Sequence, residues 1–106
     1  IVAERFGIAA ETLIDALNGS SGRNNATEVK MKQFVLSRSF ASGFATGLMA
    51  KDVTIAAHMA EGLGLSLPVL PAMAALWRDG ARSLGERSDH TEMMRFLQET
   101  AEGGQA

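Results

Sequence analysis

The apolar residues of the chain recur at intervals of three and four, and no stretch shows the sustained apolar and polar alternation that is typical of an exposed strand. Within residues 10–18, for example, Leu13, Ile14 and Leu17 follow this spacing. Side chains spaced in this way lie on one face of a helix. The pattern therefore predicts an all-α fold, a compact multi-helix domain built around one core.

Six helical segments are predicted, and glycine, proline or a capping residue marks most of their ends. The first segment ends before Gly7, and the last residues, 103–106, have no apolar periodicity and are expected to fray. The predicted segments are Ile1–Phe6, Ala10–Asn18, one from Asn24 or Thr27 to Leu36, one from Thr46 to about Leu63, one from the Pro68 and Pro71 turn to Gly85, and one from Ser88 or Asp89 onward.

A connector rich in glycine, serine and alanine precedes the longest predicted helix. It contains two aromatic residues, Phe40 and Phe44, and two glycines, Gly43 and Gly47. Glycine lets backbone segments approach closely, so we expect this connector to pack tightly while its phenylalanines anchor it. We also expect the side chain of Thr46 to cap the helix that follows.

The composition excludes several classes of protein. Of the 106 residues, 46% are apolar and 21% are charged, which is usual for a soluble globular domain, and the net charge of −2 offers no basic surface for nucleic acid. The absence of cysteine excludes disulfides and thiolate sites and makes the cytoplasm the default location. The apolar runs are too short for a membrane helix. We expect neither a nucleic-acid nor a membrane partner.

The residues that carry metal or nucleotide chemistry in known motifs are not spaced as those motifs require. His58 and His90 are far apart and have no carboxylate at metal-ligand spacing, so no metal site is predicted. The glycines do not form a dinucleotide-binding turn between a strand and a helix. No residue of this chain is predicted to be catalytic.

An acidic residue interrupts the apolar stripe of the 46–63 helix. Asp52 shares that stripe with Leu48, Ala56, Met59 and Leu63. A buried carboxylate is costly unless it is paired or hydrogen-bonded. We therefore expect Asp52 to be buried and to support the structure through a bond to a neighbouring segment.

Lys51 lies beside that stripe, with Leu48 and Ile55 as its neighbours on the helix surface. Its stem can cover apolar surface while the ammonium group stays in water, as surface lysines commonly do. Alternatively, its ammonium group is a fixed cation that contacts an anionic or carbonyl-bearing ligand. The residue pattern leaves both interpretations open. It likewise leaves open whether Phe44 packs in the core or lines a pocket.

Three stretches of the chain resemble the β-hydroxyacid dehydrogenases, the family of 3-hydroxyisobutyrate and tartronate semialdehyde reducing enzymes. The last stretch is similar to the family's Lys-Asp-Leu-Gly-x-Ala-x-Asp signature and departs from it at Val53, Thr54 and His58. The three stretches are Asn18-Gly19-Ser20-Ser21-Gly22-Arg23, Gly43-Phe44, and Lys51-Asp52-Val53-Thr54-Ile55-Ala56-Ala57-His58.

The resemblance implies the C-terminal all-α domain of a two-domain enzyme like 6-phosphogluconate dehydrogenase, spanning residues 1–106. Residues 1–6 would be the tail of an interdomain helix, and a Rossmann-type domain would lie upstream. The implied cofactor is NAD or NADP, the substrate is a small β-hydroxyacid and the enzyme is a homodimer. The family's catalytic lysine lies in an upstream motif that this chain lacks, so the chain alone is expected to be inactive.

The same resemblance implies roles for four residues. Lys51 would approach the cofactor across the interdomain cleft, and Asp52 would brace its helix. Phe44 and His58 would line the cleft, with His58 in a position where the family has an acid. A competing hypothesis from a different class is a helical oligomerisation or partner-binding module without a catalytic role, in which apolar residues such as Trp77, Phe96 and Leu97 form the interface.

Overall fold

The computed structural model describes residues 1–103 of the chain. Every regular element in that range is a helix, and the strand-like pairing there consists of one isolated antiparallel bridge between Ala45 and Asp89. The all-α prediction is confirmed. The helices form two compact units, one spanning Ile1–Ser42 and the other beginning at Gly43.

The first unit contains two α-helices and one π-helix. Helix α1 spans Val2–Phe6 and ends at Gly7, which adopts the left-handed conformation (φ 110°) predicted for a residue that terminates a helix. Helix α2 spans Ala10–Asn18 and packs its buried Ile14 side toward the π-helix Ala26–Leu36. The predicted bounds of α2 agree with the structure.

The π-helix differs from an ordinary helix in its i→i+5 hydrogen bonding, which the apolar pattern did not predict. Its beginning is fixed by a reciprocal pair of bonds between Asn24 and Thr27. The Asn24 amide N–H donates to Thr27 Oγ1 (2.9 Å), and the Thr27 amide N–H donates to Asn24 Oδ1 (3.1 Å). The side-chain NH2 of Asn18 also donates to the Thr27 carbonyl (3.0 Å). These bonds tie the 19–25 loop to both flanking helices.

The described residues of the second unit, 43–103, form three α-helices. The bounds are close to those predicted: α3 spans Thr46–Gly62, α4 spans Val69–Leu84, and α5 spans Met93–Gly103 after a short 3₁₀ helix at His90–Glu92. Gly103 is therefore the last residue of a helix, whereas residues 104–106 of the predicted frayed end lie outside the described residues. Over residues 1–103, no helix has the length and apolar content that crossing a membrane requires.

Small side chains fill the core of this unit. Ala50 of α3 and Ala74 and Ala81 of α4 are only 6%, 2% and 4% exposed. At the contact between α4 and α5, a Cβ added to Gly80 would lie 2.5 Å from Met93 Cε. Gly80 thus leaves the space that the Met93 side chain occupies, and the helices pack at close range.

The start of the last helical segment follows the predicted capping signal. The Asp89 side chain accepts a hydrogen bond from the Thr91 amide N–H (3.0 Å), and Glu92 Oε2 accepts one from the Asp89 amide N–H (3.3 Å). This reciprocal arrangement is a capping box, which satisfies backbone donors that the helix itself leaves unpaired. Asp89, rather than Ser88, is the cap.

Candidate functional site

The backbone that leads into α3 is held by the connection between α4 and α5, residues 85–92. The Thr46 amide N–H donates to the Ser88 carbonyl (2.7 Å), and the Gly47 amide N–H donates to the Glu86 carbonyl (2.9 Å). A Cβ on Gly47 would lie 3.0 Å from the Glu86 carbonyl oxygen, so the predicted close backbone approach is confirmed at this glycine. The first turn of α3 is therefore fixed by tertiary contacts.

Thr46 does not cap α3, and that prediction is wrong. The N-cap residue is Ala45. Thr46 is the first residue of the helix and is fully buried, with an exposure of 0%. Its hydroxyl lies 2.7 Å from Ser88 Oγ and 3.1 Å from the Ser88 carbonyl oxygen. A buried hydroxyl needs hydrogen-bond partners, and the 85–92 connection supplies them. The Thr46 hydroxyl therefore bonds to this connection and not to the backbone N–H groups of the first turn of α3.

Phe44 is half-buried and lies immediately before α3. Its carbonyl oxygen accepts a hydrogen bond from the His90 amide N–H (2.7 Å) and lies 3.2 Å from His90 Nδ1. The two rings meet edge to face, with centroids 5.5 Å apart and an interplanar angle of 84°. Both the backbone and the ring of Phe44 are thus positioned by a single residue.

Lys51 is exposed, on the face of α3 that also carries Leu48 and Ile55. Those two apolar side chains are 46% and 55% exposed. Within residues 1–103, no hydrogen bond or ion pair engages the Lys51 ammonium group. Within the described residues, the Lys51 ammonium group is therefore exposed and unpaired, and exposed apolar side chains lie on either side of it.

Asp52 is exposed as well, so the expectation that it is buried is wrong. No hydrogen bond or ion pair in the described part of the chain reaches its carboxylate. The stripe assigned to the core turns outward, since Met59 and Leu63 are 65% and 71% exposed. The opposite face, which carries Ala50, packs against α4 because small side chains let the helix axes approach. A supporting role for Asp52 stays a prediction.

His58 lies two turns beyond Lys51, about 10 Å further along the helix axis. It contributes to a surface depression of about 480 Å³ between the end of α3 and the start of α4, together with Glu61 and Arg78. Phe44 is not among the residues that line this depression. The structure therefore does not gather Phe44, Lys51 and His58 into one pocket of this chain.

The main feature that the sequence analysis missed is the network around Asp89. Its Oδ1 accepts a hydrogen bond from the Gly43 amide N–H (2.8 Å), 46 residues away in sequence. The Asp-x-x-Glu spacing of Asp89 and Glu92 signalled a helix cap. No local pattern signalled the bond to Gly43, because it depends on how α3 and α4 pack.

Comparison with known proteins defines the class of the chain. The family described as the NAD-binding domain of NADP-dependent 3-hydroxyisobutyrate dehydrogenase matches residues 1–97. The class is thus that of all-helical domains of nicotinamide-dependent dehydrogenases. The chain belongs to this 3-hydroxyisobutyrate dehydrogenase family. The cofactor class predicted from the sequence, NAD or NADP in the intact enzyme, is confirmed at the level of the family.

Two curated relatives are much longer than this chain. It is 35% identical over 85 residues to the 2-(hydroxymethyl)glutarate dehydrogenase of Eubacterium barkeri, a match that covers 80% of this chain and 28% of that protein. It is 33% identical over 102 residues to a probable mitochondrial 3-hydroxyisobutyrate dehydrogenase of Arabidopsis thaliana, covering 91% of this chain and 29% of that protein. The chain spans less than a third of each relative.

A solved structure has the same fold. The Mycobacterium tuberculosis 3-hydroxyisobutyrate dehydrogenase, determined with L-serine, superposes with a TM-score of 0.80 at 24% identity. The match covers 91% of this chain and 35% of that one. The fold of this chain is therefore similar to that of about a third of the solved protein.

Proposed function

We propose that the chain is the C-terminal domain of an NAD(P)-dependent oxidoreductase that acts on a small β-hydroxyacid. A Rossmann-type dinucleotide-binding domain would lie upstream in the same polypeptide. The family match over residues 1–97 and the roughly threefold greater length of the relatives support this proposal. In the intact enzyme, this domain would form one wall of the cofactor and substrate cleft.

The observation that carries the proposal is the state of Lys51. Its ammonium group is exposed and has no acidic partner among residues 1–103. A dinucleotide presents a negatively charged pyrophosphate, and lysine binds phosphate groups as a point charge. The Lys51 ammonium group on α3 therefore suits the pyrophosphate of NAD or NADP, the cofactor class of the family.

The apolar residues beside Lys51 support the same interpretation. Leu48, Ile55 and Met59 lie on the exposed face of α3 and are roughly half to two-thirds exposed. Exposed apolar groups that cluster in this way mark a surface that another part of the protein covers. If the upstream domain covers it, water is excluded around the ammonium group and its attraction to phosphate becomes stronger.

The cofactor, when bound, would supply the hydride acceptor for the hydroxyl-bearing carbon of the substrate. The residues of this chain would bind and orient the cofactor and the substrate. Lys51 would hold the cofactor, Phe44 and His58 would line the cleft, and Asp52 would support the helix. The catalytic lysine would belong to the upstream part of the enzyme. On this proposal, the 106-residue chain alone has no dehydrogenase activity.

We propose further that the intact enzyme is a homodimer, as the resemblance to the family implies, and that it is cytoplasmic, which is the default location for a chain without cysteine. The relatives' names suggest 3-hydroxyisobutyrate and 2-(hydroxymethyl)glutarate as probe substrates. Sedimentation of the full-length protein measures the number of subunits, and cell fractionation measures its location. A monomer, or a protein recovered with a membrane fraction, would contradict this part of the proposal.

The proposal is tested by Lys51→Ala in the full-length enzyme. The KM for the cofactor should rise by about tenfold or more, which is the loss expected for one charge-assisted contact. The melting temperature should stay within about 2 °C, because an exposed side chain contributes little to stability. Steady-state kinetics with NAD and with NADP measures the first quantity, and differential scanning calorimetry measures the second.

The matched control is Lys32→Ala. Lys32 is also an exposed lysine, but its ammonium group pairs with the Asp15 carboxylate within the Ile1–Ser42 unit. Its loss should leave the cofactor KM unchanged, and Lys51→Arg should retain much of the affinity because the positive charge remains. Equal cofactor KM values for Lys51→Ala and wild type would contradict the role of Lys51.

A second candidate function, an oligomerisation module, is favoured by the same exposed apolar face. Ile55→Glu in the full-length protein distinguishes an oligomerisation face from a face that the upstream domain covers. If the face joins subunits, the variant dissociates and keeps its cofactor KM; if the upstream domain covers the face, the subunit number stays the same and the KM rises. Val69→Glu is the control, because Val69 is also exposed (68%) but lies on α4.

A further inference from the structure

The two carboxylate oxygens of Asp89 bind two different segments. Oδ2 accepts hydrogen bonds from the amide N–H and the hydroxyl of Thr91, within the capped turn. Oδ1 accepts the amide N–H of Gly43 at 2.8 Å, at the far end of the connector that precedes α3. The side chain is only 9% exposed, so these bonds are shielded from water.

The bond to Gly43 is not needed for capping. A cap requires one acceptor for the N–H of an early helical residue, and serine, with a single short hydroxyl, caps helices about as well as aspartate. In this structure, Oδ2 already fills that role for Thr91. A second oxygen that reaches Gly43 therefore serves the connector and not the helix.

Gly43 is the point where the connector needs to be held. Its φ angle is +94°, a conformation that side-chain-bearing residues rarely adopt, and it directly precedes Phe44. The next residue after Asp89, His90, binds the Phe44 carbonyl and packs its ring against the Phe44 ring. Asp89 and His90 together thus fix the two consecutive residues, Gly43 and Phe44.

We propose that Asp89 is a positioning residue for the substrate and cofactor cleft, and that it acts by holding Gly43 so that the Phe44 ring has a defined place at the start of α3. The inference rests on the proposed function, because it takes Phe44 as a wall of the cleft. Asp89 itself would touch neither cofactor nor substrate. Its effect on the reaction would pass through Phe44.

The test is Asp89→Ser in the full-length enzyme, which keeps a helix cap but removes the oxygen that reaches Gly43. The matched control is Glu92→Ala. It removes the other half of the capping box and the ion pair with Arg95 but leaves the bond between Asp89 and Gly43. Both variants should lower the melting temperature by similar amounts, because each weakens the capping box before α5. If Asp89→Ser does not fold, Asp89→Thr, which also caps helices through a single short hydroxyl, replaces it.

Two measurements distinguish positioning from capping. Hydrogen exchange at the Gly43 amide should become about tenfold faster or more in Asp89→Ser and should be unchanged in Glu92→Ala, since only the first variant removes the carboxylate that accepts the Gly43 amide N–H. With 3-hydroxyisobutyrate as the probe substrate, kcat/KM should fall at least about fivefold in Asp89→Ser and less than about twofold in Glu92→Ala. Equal effects of the two variants on either quantity would overturn the inference.

A double-mutant cycle with Phe44→Ala completes the test. If Asp89 acts through the Phe44 ring, Asp89→Ser should have no further effect on kcat/KM once the ring is removed. Losses that multiply would overturn the inference. Absence of dehydrogenase activity in the wild-type enzyme would instead contradict the proposed function, and the exchange rate at Gly43 would still show whether Asp89 holds the connector.

Discussion

The two faces of α3 are built from opposite kinds of side chain. The face that packs against α4 carries small residues, and Thr46 and Ala50 on it are 0% and 6% exposed. The other face carries large apolar residues, of which Leu48, Ile55 and Met59 are between 46% and 65% exposed. Side-chain size, more than hydrophobicity, decides which face of this helix lies inside.

This difference bears on the proposal that the helix belongs to a larger protein. Small residues allow α3 and α4 to approach closely. Large apolar residues that remain in water cost about 25 cal/mol for each Å² left exposed, so their presence on one face favours a covering partner. Lys51 stands on that outer face. The inner face thus holds the helix in place, and the outer face is the one that our proposal assigns to binding.

The comparison is tested most strongly by enlarging a small residue on each face. Ala50→Leu should lower the free energy of unfolding by about 2 kcal/mol, because three extra carbon atoms must fit between closely packed helices. Ala56→Leu, the same substitution at an exposed position of the same helix, should change it by less than about 0.5 kcal/mol. Urea denaturation followed by circular dichroism measures both. Equal losses would show that the faces do not differ in packing.

A smaller effect is expected from removing the buried hydroxyl of the inner face. Thr46→Val should lower the free energy of unfolding by about 1 kcal/mol, because the hydrogen bonds of the Thr46 hydroxyl to Ser88 and Asp89 are lost while the side-chain shape is preserved. The control is Thr54→Val, because the Thr54 hydroxyl makes a single long contact among residues 1–103, with Arg78 at 3.4 Å. Calorimetric melting of both variants provides the measurement. A Thr46→Val protein as stable as wild type would show that the contact with Ser88 is dispensable.

The smallest effect is expected on the outer face. Met59→Gln should leave the free energy of unfolding within about 0.5 kcal/mol of the wild-type value, since Met59 is 65% exposed. That expectation applies to the 106-residue chain. If the upstream domain covers this face, Met59→Gln should lower the free energy of unfolding more in the full-length protein than in the 106-residue chain, and urea denaturation of both measures the difference. A loss above about 1 kcal/mol in the chain alone would show that Met59 is buried there.

Much of the helical framework was predictable from local signals. Gly7 ends a helix in the left-handed conformation, as predicted for this glycine, and the cap expected at Ser88 or Asp89 is formed by Asp89. The spacing of Leu13, Ile14 and Leu17 located α2 between its observed bounds. These features depend on residues a few positions apart, whose interactions are similar in any tertiary context.

The candidate site was only partly predictable. The Lys51 and Asp52 pair pointed to the family that the comparison confirms, but the burial expected for Asp52 was wrong because large apolar neighbours were taken as the core side. The roles of Lys51, Phe44 and His58 stay predictions. Thr46 was assigned to a local cap, although its hydroxyl bonds to Ser88, 42 residues away.

The sequence by itself determined the helices, their approximate ends and the family, since these follow from local spacing and from motif residues. Only the tertiary structure decided which face of α3 turns inward and which residues hold Gly43 and Phe44 before it. The physical reason is that inward orientation depends on how closely two helices can approach. The bonds of the 85–92 connection likewise join atoms that only the packed fold brings within 3 Å.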